Sequence, residues 1–582
     1  MAQRGVGWVG GAGGPIPPGL SGLVSSVGAG GFTWDATAAA EDASLNWLAL
    51  SSAAGSSAPG SPGSLGVRVN TTGLPAGTYF GEVRVRAAGV DNSPRTVQVV
   101  QRVQAAAAKP GVKLTPAGQT VVARQGDASV PAQTMQVHNP LPSAQTFDFS
   151  FPQENRVFTA TAPDGTTLPS GTPGRIQVGV TLAGLGPGIY RAPLSVAAGN
   201  DPRVQTADVV LVVLPGPAAA SVQTPVEARG DYICSSGGGL AVNPVSHAGG
   251  FQVTAAHPAA VEALVTDRLG NPLVSGAVTM LPSIEGTAAA PLQHQGGGRW
   301  TATWIPVSAG GAPVTLNFFA DDADRGLSGC AQLHGQVEGN ANAPLLTQRG
   351  IVSNASFRAW DPVAPGSMLA LFGQKLAGAP ASAPSFPLPF QLGATRVSIA
   401  GVGAPLIYAG ETNNLSQVNL IAPYNLPLHV SVPVAVRTEG GVAIAETITA
   451  EAAPGVFSAD QSGGGQGIVV LGSSPSVIAG PDNPAARGDV VIIYAAGLGL
   501  TQPGVNASEA APSNPLARVA REVTVTIGGQ EAPVSFAGLT PGFSGLYQLN
   551  VTVPGGAPVG NAVPVVVSVA GASSAVTTMA VR

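Results

Sequence analysis

Charge is scarce in this 582-residue chain: Asp, Glu, Lys and Arg together make up 10%, against roughly 25% in an ordinary soluble domain. Lysine is nearly missing; Lys109, Lys113 and Lys375 are the only three, and the other basic residues are Arg. The net charge of −5 is close to neutral per domain, which leaves no electrostatic footprint for nucleic acid or an anionic membrane surface. No uninterrupted apolar run reaches the roughly 18 residues of a membrane-spanning helix. The six histidines, 138, 247, 257, 294, 334 and 429, are scattered, with no HExxH or His-x-His spacing. A G-x-S-x-G elbow and a phosphate-binding loop are also missing. The two cysteines, Cys234 and Cys330, have no CxxC or His-rich company, so they build no metal site by themselves. We therefore assign no catalytic residue, cofactor or metal.

What the chain does have is 79 Gly and 52 Pro beside a 44% apolar share. So many breakers interrupt every long helix, while the apolar share opposes wholesale disorder. Many short strands and many turns remain.

Internal repeats organise them. Residues 47–88 align with 158–199 at a constant offset of 111, pairing Trp47 with Phe158, Val67 with Val178, and Tyr79 with Tyr190. Within the first copy, Val67, Val69, Val83, Val85, Val97 and Val99 alternate with Arg68, Asn70, Arg84, Arg86 and Gln98. That period of two predicts strands with one buried and one wet face. The turns Leu74–Tyr79 and Leu185–Tyr190 predict a tight corner whose Tyr hydroxyl returns to nearby backbone. A second repeat matches residues 404–409 with 532–537 at an offset of 128, and Gln417-Val-Asn419 with Gln548-Leu-Asn550 at 131. Upstream, residues 366–372 match 488–494 at 122, so loops differ in length between shared strands.

The expected architecture is all-β, a tandem array of five immunoglobulin-like β-sandwiches: 1–107, 108–219, 220–343, 344–455 and 456–582. Linkers are expected at 105–111 and 215–220. Residues 1–22 show no basic start followed by an apolar stretch. The repeat projects back onto Met1, and the Gly-rich stretch Gly5 to Gly19 stands in place of the opening strand, so we read Met1 as an internal or miscalled start with an export signal upstream. A bond between Cys234 and Cys330 would close a loop of about 95 residues and contribute on the order of 4 kcal/mol in an oxidising compartment. Two separate buried thiols are the alternative.

Residues 350–582 resemble an uncharacterised C-terminal module of secreted acidobacterial (Solibacter-type) proteins. The resemblance rests on Ile351–Phe357, Val363–Ser367, Gly488–Gly499, Ala532–Gly542 and Gly545–Pro554. Each half is more loosely similar to IPT/TIG-type immunoglobulin-like domains. The two N-terminal copies resemble BACON-type domains through Trp47-Leu48, Gly77-Thr-Tyr79 and Asn92-Ser-Pro94; the second copy departs at Phe158 and Ile189. These resemblances imply a secreted or surface protein, with carbohydrate a partner of some BACON domains, and transfer no catalytic residue.

Four features are candidate sites. Gly5-Val-Gly-Trp-Val-Gly10 fits GxGxxG but lacks a preceding strand and a following helix, so no dinucleotide site is expected. Asp321, Asp322 and Asp324 suit a calcium loop, though a solvated acidic turn is favoured. Trp300, Ala302 and Trp304 share one strand face, as a sugar platform or, by preference, as core. Arg68, Arg84, Arg86 and Arg102 suit an anionic polysaccharide, with a plain solvated face preferred. The leading function is a non-catalytic structural or adhesive array at the cell surface, with polysaccharide or envelope components as partners; the alternative is carbohydrate binding through the N-terminal pair.

Overall fold

The computed structural model describes residues 4–26, 30–90, 93–105, 111–199, 203–215, 238–284, 289–308, 310–359 and 361–582. Among them there is no helix; the strands form four two-sheet sandwiches and, third along the chain, one eight-stranded sheet. The chain divides into two compact units, Met1–Val90 with Arg95–Ala341, and Asp91–Pro94 with Asn342–Arg582. Cys234 and most of both expected linkers lie outside the described residues.

In the first unit, the opening sandwich faces a three-stranded sheet onto a five-stranded one, ordered Gly5–Gly11, Arg95–Gln104, Gly77–Arg86, Phe32–Ala40, Ala54–Ser57. All six alternating valines are buried, as the period of two predicts, with Trp47 beneath them. The second sandwich repeats this plan: Gly174–Val180 stands where Gly63–Val69 does, and Phe158 replaces Trp47 in the core. Both corners form. The Tyr79 hydroxyl donates to the Pro75 carbonyl at 2.8 Å and Tyr190 to Gly186 at 2.9 Å, each beside a glycine in the left-handed region, Gly73 and Gly184.

Two expectations fail here. Gly5–Gly11, read as strandless, is an edge strand running parallel to Arg95–Gln104. Gln98, read as wet, is 6% exposed. The third domain packs against this edge. Its Pro258 lies so near the edge strand that a Cβ at Gly5 or Gly7 would fall 2.6 or 2.7 Å from it. The second sandwich has the same device: its parallel edge strand Gly118–Arg124 meets the third domain at Gly118, where a Cβ would be 2.4 Å from the Pro244 carbonyl.

The third domain is one eight-stranded sheet wrapped on itself. Gly239 bridges Ser328, which brings the first strand, Leu240–Pro244, back beside the seventh, Leu327–Glu338. Trp300, Ala302 and Trp304 point into its core at 5%, 7% and 4% exposure, and the Trp300 indole donates to the Leu273 carbonyl. They offer no sugar platform.

In the second unit, the fourth and fifth sandwiches share a framework down to the ladder register. Met368 faces Ile421 as Val490 faces Thr552. A register shift precedes the pair Tyr408–Asn419, and another precedes Phe536–Asn550. Two-residue tips close the hairpins Thr438–Gly441 and Val569–Ala572.

Candidate functional site

Arg102 is placed on the strand Arg95–Gln104 by the same alternation that buries Val97, Val99 and Val103. Its guanidinium forks onto Glu338 of the third domain at 2.5 and 2.8 Å and donates to Thr254 at 2.8 Å. The two-pronged geometry fixes direction as well as charge. The backbone amides of Arg4 and Gly5 donate to Thr303 at 2.7 and 3.1 Å. The second sandwich is joined to the third by Asn243, whose amide reaches Thr120 at 2.9 Å and the Gln119 carbonyl at 3.1 Å. Thr206 and Gly249 exchange two backbone hydrogen bonds at 2.9 and 2.7 Å, and Arg191 donates to the Val242 carbonyl. Each repeat is thus bonded directly to the third domain.

Half-buried and buried imidazoles accompany both junctions. His138 lies opposite Lys113 in the second sandwich, and His247 of the third domain rests edge-on to Phe251 at 5.4 Å. Burial, then the Lys113 charge, hold both near a pKa of about 4. His257, next to Pro258, is held at about 4 by burial and then by Arg102, with Glu338 opposing. Distant sequence positions gave no sign of this grouping.

The second unit carries a groove of about 560 Å³ at one end of the fourth sandwich. Lys375 and Glu411 form its floor: the Lys375 amide and ammonium donate to the carboxylate at 2.7 and 2.8 Å. Ser416 donates to the same carboxylate at 2.6 Å and accepts from the Leu376 amide at 3.0 Å. These bonds, Lys375 first, hold the Glu411 carboxyl below its ordinary pKa. Asn413, Asn414, Thr438 and Glu439, from two hairpin tips, form the walls.

The other expected residues are dispersed. Arg68 is on the three-stranded sheet, whereas Arg84 and Arg86 are on the five-stranded one, with Arg84 3.9 Å from Glu82. The four arginines therefore do not form one patch. Asp322 is not the solvated residue expected: its side chain is 2% exposed and pairs with Arg325 at 2.6 Å, while Arg325 also reaches Asp267 at 3.0 Å. The hydrogen bond from Arg325 lowers the Asp322 pKa and occupies the oxygens a calcium ion would need. Among the described residues, no group of three or more His, Cys, Asp or Glu is arranged to hold a metal. Cys330 lies on Leu327–Glu338 opposite Phe319.

No protein-family model matches the chain, and no curated protein matches it. Among solved structures, the human desmocollin-1 ectodomain is 12% identical, over 77% of this chain and 78% of its own, with a TM-score of 0.15. SGBP-B of the Bacteroides ovatus mixed-linkage glucan utilization locus, in complex with a mixed-linkage heptasaccharide, is 13% identical. It covers 59% of this chain and 71% of its own, with a TM-score of 0.23. At such scores neither likeness carries an argument. The chain's own sheets define its class, an all-β tandem array of β-sandwich domains.

Proposed function

We propose that this chain is a non-catalytic scaffold of a secreted or cell-surface protein, which holds its loops in fixed relation within each unit to engage polysaccharide or envelope components. The observation that carries this reading is the Arg102–Glu338 fork, together with the close seat of Pro258 over Gly5 and Gly7. Side chains and missing side chains on both partners are fitted to each other, which suits a protein whose task is to keep binding surfaces in place. Direct contact replaces free tethering. The Cys234–Cys330 bond belongs to the same proposal, because an exported chain meets oxidising conditions.

Surface labelling of intact cells tests the reading. A membrane-impermeant biotin reagent should tag the protein without permeabilisation, and alkylation before reduction should find no thiol. Labelling only after lysis, with two reactive thiols, would contradict it. Carbohydrate binding through the N-terminal pair is weakened by the dispersal of the arginines: Arg102 serves a junction, and Arg68 is on the opposite sheet from Arg84 and Arg86.

A further inference from the structure

The fifth sandwich is an internal control for the groove in the fourth. The shared register makes Lys375 equivalent to Gly497, Glu411 to Leu539 and Ser416 to Tyr547. At the hairpin tip, Thr438 corresponds to Val569 and Glu439 to Ala570. The same frame therefore closes in the fifth domain with Leu539 and Tyr547 fully packed, at 1% and 0% exposure. Nothing in the framework demands a carboxylate, an ammonium and a hydroxyl at these places. A half-buried ion pair is generally no more stabilising than the apolar packing that can replace it.

The backbone makes the point again. Lys375 has φ of 54° and Gly497 has φ of 77°, so both domains turn through the left-handed region there. Glycine does this freely, whereas a side chain with a Cβ is strained by roughly 1 kcal/mol. The fourth domain keeps a lysine at that position, and it is one of only three in the chain. Asn413 and Asn414, at φ of 53° and 61°, form the adjoining tip. Asparagine takes that conformation readily at a two-residue hairpin tip, so the strain at the groove is that of Lys375, and such strained residues gather at functional sites.

The groove's chemistry narrows the ligand. Glu411 is occupied by Lys375 and Ser416. Among the described residues, the side chains of Asn413, Asn414 and Glu439 show no hydrogen-bond partner while lining the groove. Two carboxamides that both donate and accept, and one carboxylate that accepts, match hydroxyl groups, which also do both. Lys375 against Glu411 and Glu439 leaves the groove one charge negative, which disfavours phosphate or carboxylate ligands. One unoccupied carboxylate is far from the six to eight oxygens that calcium takes.

We propose that the groove between the hairpin tips of the fourth sandwich, floored by Lys375–Glu411 and walled by Asn413, Asn414 and Glu439, binds a neutral saccharide unit. This site is separate from the N-terminal pair and does not depend on the scaffold reading.

Saturation-transfer NMR on the full chain tests it, using methyl β-glucoside, methyl β-galactoside and methyl α-mannoside as probes, with glucuronate and ethanolammonium as charged arms. At least one neutral glycoside should give a saturable signal, and glucuronate none. Asn413→Gly with Asn414→Gly keeps the left-handed turn but removes both carboxamides, and should weaken binding about tenfold or more. Glu439→Gln should weaken it less. Lys375→Gly, which copies the fifth domain, should fold and bind poorly. Arg84→Ala in the first domain should bind normally. Silence from all three glycosides would overturn the proposal. So would a signal from ethanolammonium only, or binding that survives the paired glycine variant.

Discussion

The two units differ in the titratable groups at their internal junctions. In the first, junctions are polar and titratable: the Arg102–Glu338 fork, the Asn243 amide and the imidazoles of His138, His247 and His257. In the second, the fourth and fifth sandwiches meet through apolar and aromatic groups and one exposed ion pair, Arg521 with Glu451. Tyr424 packs on the fifth domain's core, and Ile421 crowds Gly545. The buried Tyr547 hydroxyl donates to Gly499, and burial pushes the Tyr424 phenol up to about 12. Of the six histidines, the second unit has only His429. Five of the six histidines thus belong to the first unit.

Acid should separate them most. A histidine whose folded pKa is about 4 and whose unfolded value is 6.5 binds its proton preferentially when unfolded. Stability is therefore lost as pH falls from about 6.5 to about 4. At pH 5 the loss is on the order of 1–2 kcal/mol per imidazole, least for the partly exposed His138, and Glu262, whose pKa burial raises, offsets part of it. The second unit should keep its stability until pH passes below the ordinary carboxylate range, where Glu411 loses its contribution as it protonates. Thermal melts from pH 7 to pH 5 that moved both units equally would break the comparison.

Gly7→Val ranks next. Valine suits an isolated strand, but here its Cβ meets the Pro258 carbonyl. The first unit should lose about 1–3 kcal/mol, with the second unchanged; a neutral or stabilising result in denaturant titration would deny the close seat. Tyr547→Phe removes a buried donor from the Gly499 carbonyl and should lower the second unit by about 1–2 kcal/mol at every pH from 5 to 8. The smallest effect belongs to the Arg102–Glu338 pair. Glu338 is 45% exposed, so a double-mutant cycle through Arg102→Ala and Glu338→Ala should return about 1 kcal/mol or less, falling with salt.

Local rules carried the framework. The valine alternation, the tyrosine corners and the offsets of 111, 128 and 131 all have counterparts in strands and ladders. What stayed hidden depends on distant partners. Gly5–Gly11 looks strandless because its missing side chains answer to Pro258, far along the chain. Asp322 reads as a wet turn because Asp267, which shares Arg325, is in another strand. The groove had a readable signal after all: Lys375, Glu411 and Glu439 are charged where the sister repeat has Gly497, Leu539 and Ala570. Comparing repeat with repeat for mismatched polarity, as well as for shared residues, exposes it.

Sandwiches docked within a unit should unfold together. Differential scanning calorimetry of the full chain should show no more than two cooperative transitions at pH 7, with one moving sharply down by pH 5. Four or five independent transitions, each with the enthalpy of a single domain of roughly 110 residues, would contradict it.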